Sequence, residues 1–172
     1  TLGTLTANQE NYEVFAGNDL VKNCASKKGG NVVLFRPIAQ LNIATDAEGL
    51  LLGTTPVELQ KSYVKVTGLS ATYNVYNGYG STETANAVYG MADVHTGTVT
   101  VGTKPYTYVA MNYIGFMPQS DITVDVDFTI QTSEGNINHT VSNVPVKANY
   151  KTNIIGNLIT ATDNYQVTLD AW

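Results

Sequence analysis

Residues 122–131 alternate without a break between apolar and polar side chains: Ile122-Thr123-Val124-Asp125-Val126-Asp127-Phe128-Thr129-Ile130-Gln131. Successive side chains on an extended strand point to opposite faces. Ile122, Val124, Val126, Phe128 and Ile130 therefore share one face, and Thr123, Asp125, Asp127, Thr129 and Gln131 share the other. One dry and one wet face describe a half-buried strand of an antiparallel sheet. Ser133-Glu134-Gly135-Asn136 supplies a turn, and residues 137–146 read as the returning strand.

Further strands are expected over residues 32–36, 38–44, 63–67, 72–76, 98–101, 106–113, 150–160 and 165–169, separated by Gly, Asn and Pro. Helix signals are confined to short turns at 8–16 and 56–61, the latter with Pro56 near its first position. Composition agrees. Thr (23), Asn (17) and Tyr (11) take the place of charge, which makes up only 13% of the chain, about half the usual ~25%. That excludes a coiled coil, a disordered tail and a helix bundle rich in Ala, Glu and Lys. At 172 residues the chain suits about one domain with a real core. About ten strands with at most two short helices predict an all-β, antiparallel β-sandwich of Greek-key type, with a barrel as the second choice.

The net charge is -5, and Arg36 is the one arginine among nine cations. Phosphate-backbone binding needs clustered cations, so nucleic acid is not an expected partner. No apolar run approaches the ~18 residues of a spanning helix. The chain opens on Thr1, which leads us to expect that a leader or more has been removed, or that this is a fragment. The single Cys24 cannot form an internal disulfide and reads as a small packed thiol.

Chemistry-bearing residues are sparse. His95 falls in a Gly/Thr-rich loop and His139 in a strand, where a surface or interface role is expected; neither has a second ligand at zinc spacing. Ser62-Tyr63-Val64-Lys65 matches S-x-x-K, but on a strand Ser62 and Lys65 point to opposite faces. Asp125 and Asp127, with Asp121, share one strand face. At i, i+2 spacing of ~6.5–7 Å they could form a hydrolytic pair, against the plainer reading of a solvated face. Gly78-Tyr79-Gly80-Ser81 lacks the context of a phosphate loop, and Asn138-His139-Thr140 is a glycosylation sequon by letters only. No enzyme, cofactor or metal is expected.

The tyrosines are the better ligand candidates. Tyr73, Tyr76 and Tyr79 cluster near one turn, and Tyr106 and Tyr108 share a face of one strand. An apolar ring with a polar tip suits protein interfaces and sugars, so these five could form a carbohydrate-binding platform. The plain alternative is cross-strand packing.

Two blocks carry more than composition: Arg36-Pro37-Ile38-Ala39-Gln40-Leu41-Asn42-Ile43-Ala44-Thr45-Asp46, and residues 144–160 (Val-Pro-Val-Lys-Ala-Asn-Tyr-Lys-Thr-Asn-Ile-Ile-Gly-Asn-Leu-Ile-Thr) followed by Tyr165-Gln166-Val167-Thr168-Leu169-Asp170. Tyr108-Val109-Ala110-Met111-Asn112-Tyr113 lies between them. This order resembles the fimbrillin-like surface proteins of Gram-negative anaerobes, in a subgroup known mainly as a domain of unknown function. The resemblance implies export as a lipoprotein precursor, a place on the cell surface, fimbrium or outer membrane, and transthyretin-like sandwich domains. It implies that residues 1–46 end an N-terminal domain and that 47–172 form the C-terminal one. It further implies a fimbrial subunit whose partners are other subunits or its own copies, joined by strand exchange. A host or bacterial surface glycan or protein is a further partner class.

Overall fold

The computed structural model describes residues 2–9, 14–16, 34–74, 78–116, 118, 120–161 and 164–172. Two five-stranded sheets pack face to face. The first runs in the order β1 (Leu2–Leu5), β8 (Thr84–Asp93), β5 (Leu59–Ser70), β11 (Ile122–Thr132), β12 (Gly135–Val146). The second runs β14 (Asn164–Ala171), β13 (Tyr150–Asn157), β2 (Ile38–Thr45), β10 (Lys104–Phe116), β9 (Thr98–Val101). Two short hairpins, β3 (Leu51–Leu52) with β4 (Thr55–Pro56) and β6 (Tyr73–Asn74) with β7 (Tyr79–Gly80), stand outside the sheets. The antiparallel pairs β5/β8, β9/β10, β11/β12 and β13/β14 fall alternately in the first and second sheet.

The expected all-β sandwich is what the chain forms. From Val124 to Thr132 burial alternates residue by residue, so Val124, Val126, Phe128 and Ile130 enter the core. β12 switches parity partway: Val141 is inward, and then Val144 and Val146 are. A β-bulge makes the switch. Asn143 adopts φ 58°, a left-handed conformation that Asn tolerates, and its N–H donates to Asp125 Oδ1 at 3.1 Å. Both sheets feed one core, with Leu41 and Ile43 of β2 against Val64, Val66 and Phe128 of the first sheet. Residues 1–46 supply β1 and β2 to the same sandwich that 47–172 complete, and the two stretches share this core.

Several elements differ from the sequence reading. Two pairs are parallel, β1/β8 and β2/β13. β1 and β8 are additional strands. Residues 56–61 are extended rather than helical: Pro56 ends β4, and Lys61 pairs with Asp93 on one side and Gln131 on the other. Backbone groups held in two ladders cannot also close a helical turn. The helical turn among the described residues is a 3-10 turn at Glu48–Leu50. Of the turn expected at 8–16, residues 10–13 lie outside the described residues, as do 32–33 and 75–76 of two expected strands. Phe35 makes an isolated bridge with Ala16.

Asn8 ties the two sheets together near β1. At φ 55° its Oδ1 accepts from Met111 N–H (3.0 Å), and its Nδ2 donates to Asp93 O (2.7 Å) and Ser62 Oγ (3.3 Å). Its own N–H donates to Asn112 Oδ1 (3.1 Å). One residue thus joins β8, β5 and β10. We expect Asn8→Ala to lower unfolding free energy by about 2 kcal/mol in urea titration, because it strands the buried Met111 N–H of β10 and removes the donor to Asp93 O and Ser62 Oγ. Nearby, Tyr89 is buried and donates from its hydroxyl to Tyr113 O at 2.6 Å. Burial pushes its phenol well above the usual value. The folded state keeps this proton where the unfolded chain releases it, so stability falls as pH rises past about 10. Tyr89→Phe should cost about 1 kcal/mol at pH 8 and make the fall between pH 9 and 11 shallower than in the wild type. An equally steep fall in the variant would contradict that origin.

Candidate functional site

The five tyrosines do not form one platform. Tyr73 and Tyr79 sit on the two strands of the β6–β7 hairpin, with Tyr79 stacked on Phe35 (6.1 Å between centroids). Tyr76 lies outside the described residues. Tyr106 and Tyr108 lie on the outer face of the second sheet with Ala44, Ile155, Val99 and Val101. Tyr106 is only 5% exposed, so it is a wall of this secondary core rather than an open platform. Tyr108 meets His95 edge-on at 4.8 Å. The β6–β7 hairpin precedes β8 and His95 follows it. The length of that strand, roughly 30 Å at ~3.3 Å per residue, therefore separates the two tyrosine pairs.

The other chemistry candidates are dispersed too. Asp121 pairs with Lys147 (3.2 Å), Asp125 caps the Asn143 bulge, and Asp127 accepts from Thr140 Oγ1 (2.8 Å) beside Lys65 (3.5 Å). Each carboxylate has its own partner. Ser62 is buried and Lys65 faces outward, as strand alternation requires. His139 is not a surface residue. It is buried, stacked on its cross-strand partner Phe128 (4.9 Å), with Nε2 2.6 Å from Leu158 O. Its place on the inward parity of β12, before the bulge, accounts for that. Cys24, like residues 17–33 around it, lies outside the described residues. Among the described residues, no three His, Cys, Asp or Glu side chains are grouped to hold a metal.

The outer face of the second sheet carries what the sequence reading missed. Gln40 Nε2 donates to Asn42 Oδ1 (2.7 Å), Asn42 Nδ2 to Asn153 Oδ1 (2.7 Å), and Asn153 Nδ2 to Asp170 Oδ2 (2.7 Å) and Thr168 Oγ1 (3.1 Å). Asn42 and Asn153 are fully buried, so this amide chain locks β2, β13 and β14 in register. Beside it the Arg36 guanidinium lies between the Phe15 and Trp172 rings, 4.7 Å from each centroid, and Trp172 stacks on Tyr113 at 5.5 Å. The one signal in sequence was i, i+2 spacing of polar residues in Gln40 and Asn42, flanked by Ala39, Leu41 and Ile43.

A cleft of about 350 Å³ opens where β10 begins, with Asp46, Glu48, Tyr106, Asn164 and Gln166 among its walls. Asp46 is buried, accepts Gly49 N–H (2.9 Å) and binds Lys104 Nζ (3.2 Å). That hydrogen bond holds the Lys104 ammonium above its usual pKa.

β14 forms one side of this cleft and ends the second sheet. Gly156 O accepts Asp46 N–H, and Trp172 N–H donates to Asn149 O. Backbone groups alternate sides along a strand. The odd residues of β13 therefore bond to β14, and the even residues of β14 bond back. The N–H and C=O groups of Tyr165, Val167, Leu169 and Ala171 point away from the sheet.

The sequence matches a family profile over residues 1–171, so the chain belongs to DUF6562, a family of unknown function. No curated protein matches it. Among solved structures it is similar to a "putative cell adhesion protein" from Bacteroides uniformis ATCC 8492. The identity is 18% and the TM-score 0.40, over 82% of this chain and 52% of that one. It is also similar to a protein of the same description from Bacteroides fragilis NCTC 9343, at 9% identity and TM-score 0.35, over 81% and 46%. The chain spans about half the length of each.

Trp172 is the one tryptophan, so its emission reports the ring stack directly. Arg36→Ala should shift that emission to the red and cost about 1–2 kcal/mol in urea unfolding. An unshifted spectrum would mean the stack does not form.

Proposed function

We propose that this protein is a non-enzymatic structural and adhesive component of the cell surface, a subunit of fimbrial type that joins its neighbours by β-strand exchange or addition. One observation carries the reading: the edge of β14, which no other described strand covers. The other three sheet edges are blunted. β1 and β9 are four residues each, and β12 is bent by the Asn143 bulge and carries Pro145. β14 pairs with β13 over eight residues with no bulge, proline or lysine, and ends its sheet. Folded proteins protect such edges unless a partner covers them. The separate partners of Asp121, Asp125 and Asp127 favour a structural over a hydrolytic role. The family resemblance of residues 36–46 and 144–170 supports placing the protein at the surface, in a fimbrium or on the outer membrane.

A second reading has its own observation. The cleft at Tyr106 presents carboxylate and amide groups, which suit sugar hydroxyls. Glycan-array binding abolished by Gln166→Ala would favour that reading.

The direct test is an unboiled blot of material sheared from the source cells. A detergent-resistant ladder of multiples is expected. A single monomer band confined to the membrane fraction would contradict fimbrial assembly.

A further inference from the structure

The chemistry of the β14 edge selects both a partner and a register. We infer that β14 pairs with β14 of a second copy of this chain, antiparallel, about a two-fold axis through Thr168. This rests on the reading of β14 as an assembly edge and specifies what covers it; being two-fold, the pairing closes at a dimer, so a longer ladder takes a second joint, by strand exchange, between dimers.

Same-face pairing about a two-fold axis normal to the sheet requires opposed residues of equal parity. The candidate centres are therefore single residues. Centring on Thr168 sets Val167 against Leu169 of the second copy and Tyr165 against Ala171. All four outward-pointing residues of β14 then exchange both backbone hydrogen bonds, which no other centre achieves. Side chains agree with this register. Thr168 meets Thr168, and Gln166 meets Asp170, whose Oδ2 is already held by Asn153 while Gln166 is exposed. A centre at Asp170, or a parallel in-register pairing, would set the two carboxylates side by side in chains that each carry -5. Two chains of net charge -5 repel each other in any register, and salt screens that repulsion, so added salt should strengthen the pairing.

Disulfide trapping of the purified full chain tests this, in a Cys24→Ser background so that each added thiol is the sole one. Directly opposed, non-hydrogen-bonded residues have Cα atoms about 4.5 Å apart, within the ~4.4–6.8 Å a disulfide spans. Thr168→Cys should therefore trap as dimer under mild oxidation. Val167→Cys lies on the diagonal at about 7–8 Å and should trap at least several-fold less. Sedimentation should show a reversible dimer, weakened tenfold or more by Val167→Pro. This change removes an outward N–H and leaves the β13 ladder intact; because Val167 also packs on the core margin, the urea midpoint should fall modestly while the monomer stays folded. Tyr165→Pro, which removes another outward N–H at an exposed residue, serves if that variant misfolds. Equal trapping at both positions, or a monomer at every concentration and salt level, would overturn the pairing. If the surface ladder persists under either result, the assembly reading stands and only this pairing falls.

Discussion

β2 is the constraint on which the second sheet depends. All eight of its residues are buried, and it lies between β13, parallel to it, and β10, antiparallel. Its inward side chains, Ala39, Leu41 and Ile43, join the core, while Gln40 and Asn42 enter the covered outer face. Without it β13 and β10 have no common neighbour. Its partners lie more than sixty residues away in β10 and more than a hundred away in β13. So much non-local pairing makes for slow folding, because long loops must close before the contacts reward them.

The burial of β2 on both faces explains why amides line its outer side. A buried amide must find partners, and Gln40, Asn42 and Asn153 find them in one another and in Asp170. Because side-chain period is two, a one-residue slip of β13 would break its links to Asn42 and Asp170, and a slip of β14 would break those from Asn153. The same chain anchors β14. An edge strand held in register from its inner side, and clamped by Trp172 next to it, presents a fixed row of outward donors and acceptors. That rigidity lowers the entropic cost of adding another strand.

Much of the fold was legible because one period dominates. In β11 and β12 apolar and polar residues alternate strongly enough to give both strands and their turn. β8 was illegible because only Ala87 and Tyr89 of its inner face are deeply buried, and its Ala, Asn and Gly residues are poor strand formers. The parallel pairings of β1 and β2 leave no local mark, since they depend on where the chain returns. Tyrosine richness was visible, but whether a ring is a platform or a wall depends on the neighbouring sheet. For Tyr106 the wall won. His139 became a core residue because a strand's parity before a bulge is fixed by the partner strand, which sequence does not show. The β14 edge could be seen only once the order of strands was known.

Residue-resolved amide hydrogen exchange along β14 tests the central claim most directly. In dilute protein, Gln166, Thr168 and Asp170 should be protected by β13, and Tyr165, Val167, Leu169 and Ala171 should exchange rapidly. In assembled material those four should become protected as well. Uniform protection of β14 in the dilute monomer would contradict an open edge. Rapid exchange of the four in assembled material would contradict its use as the joining strand.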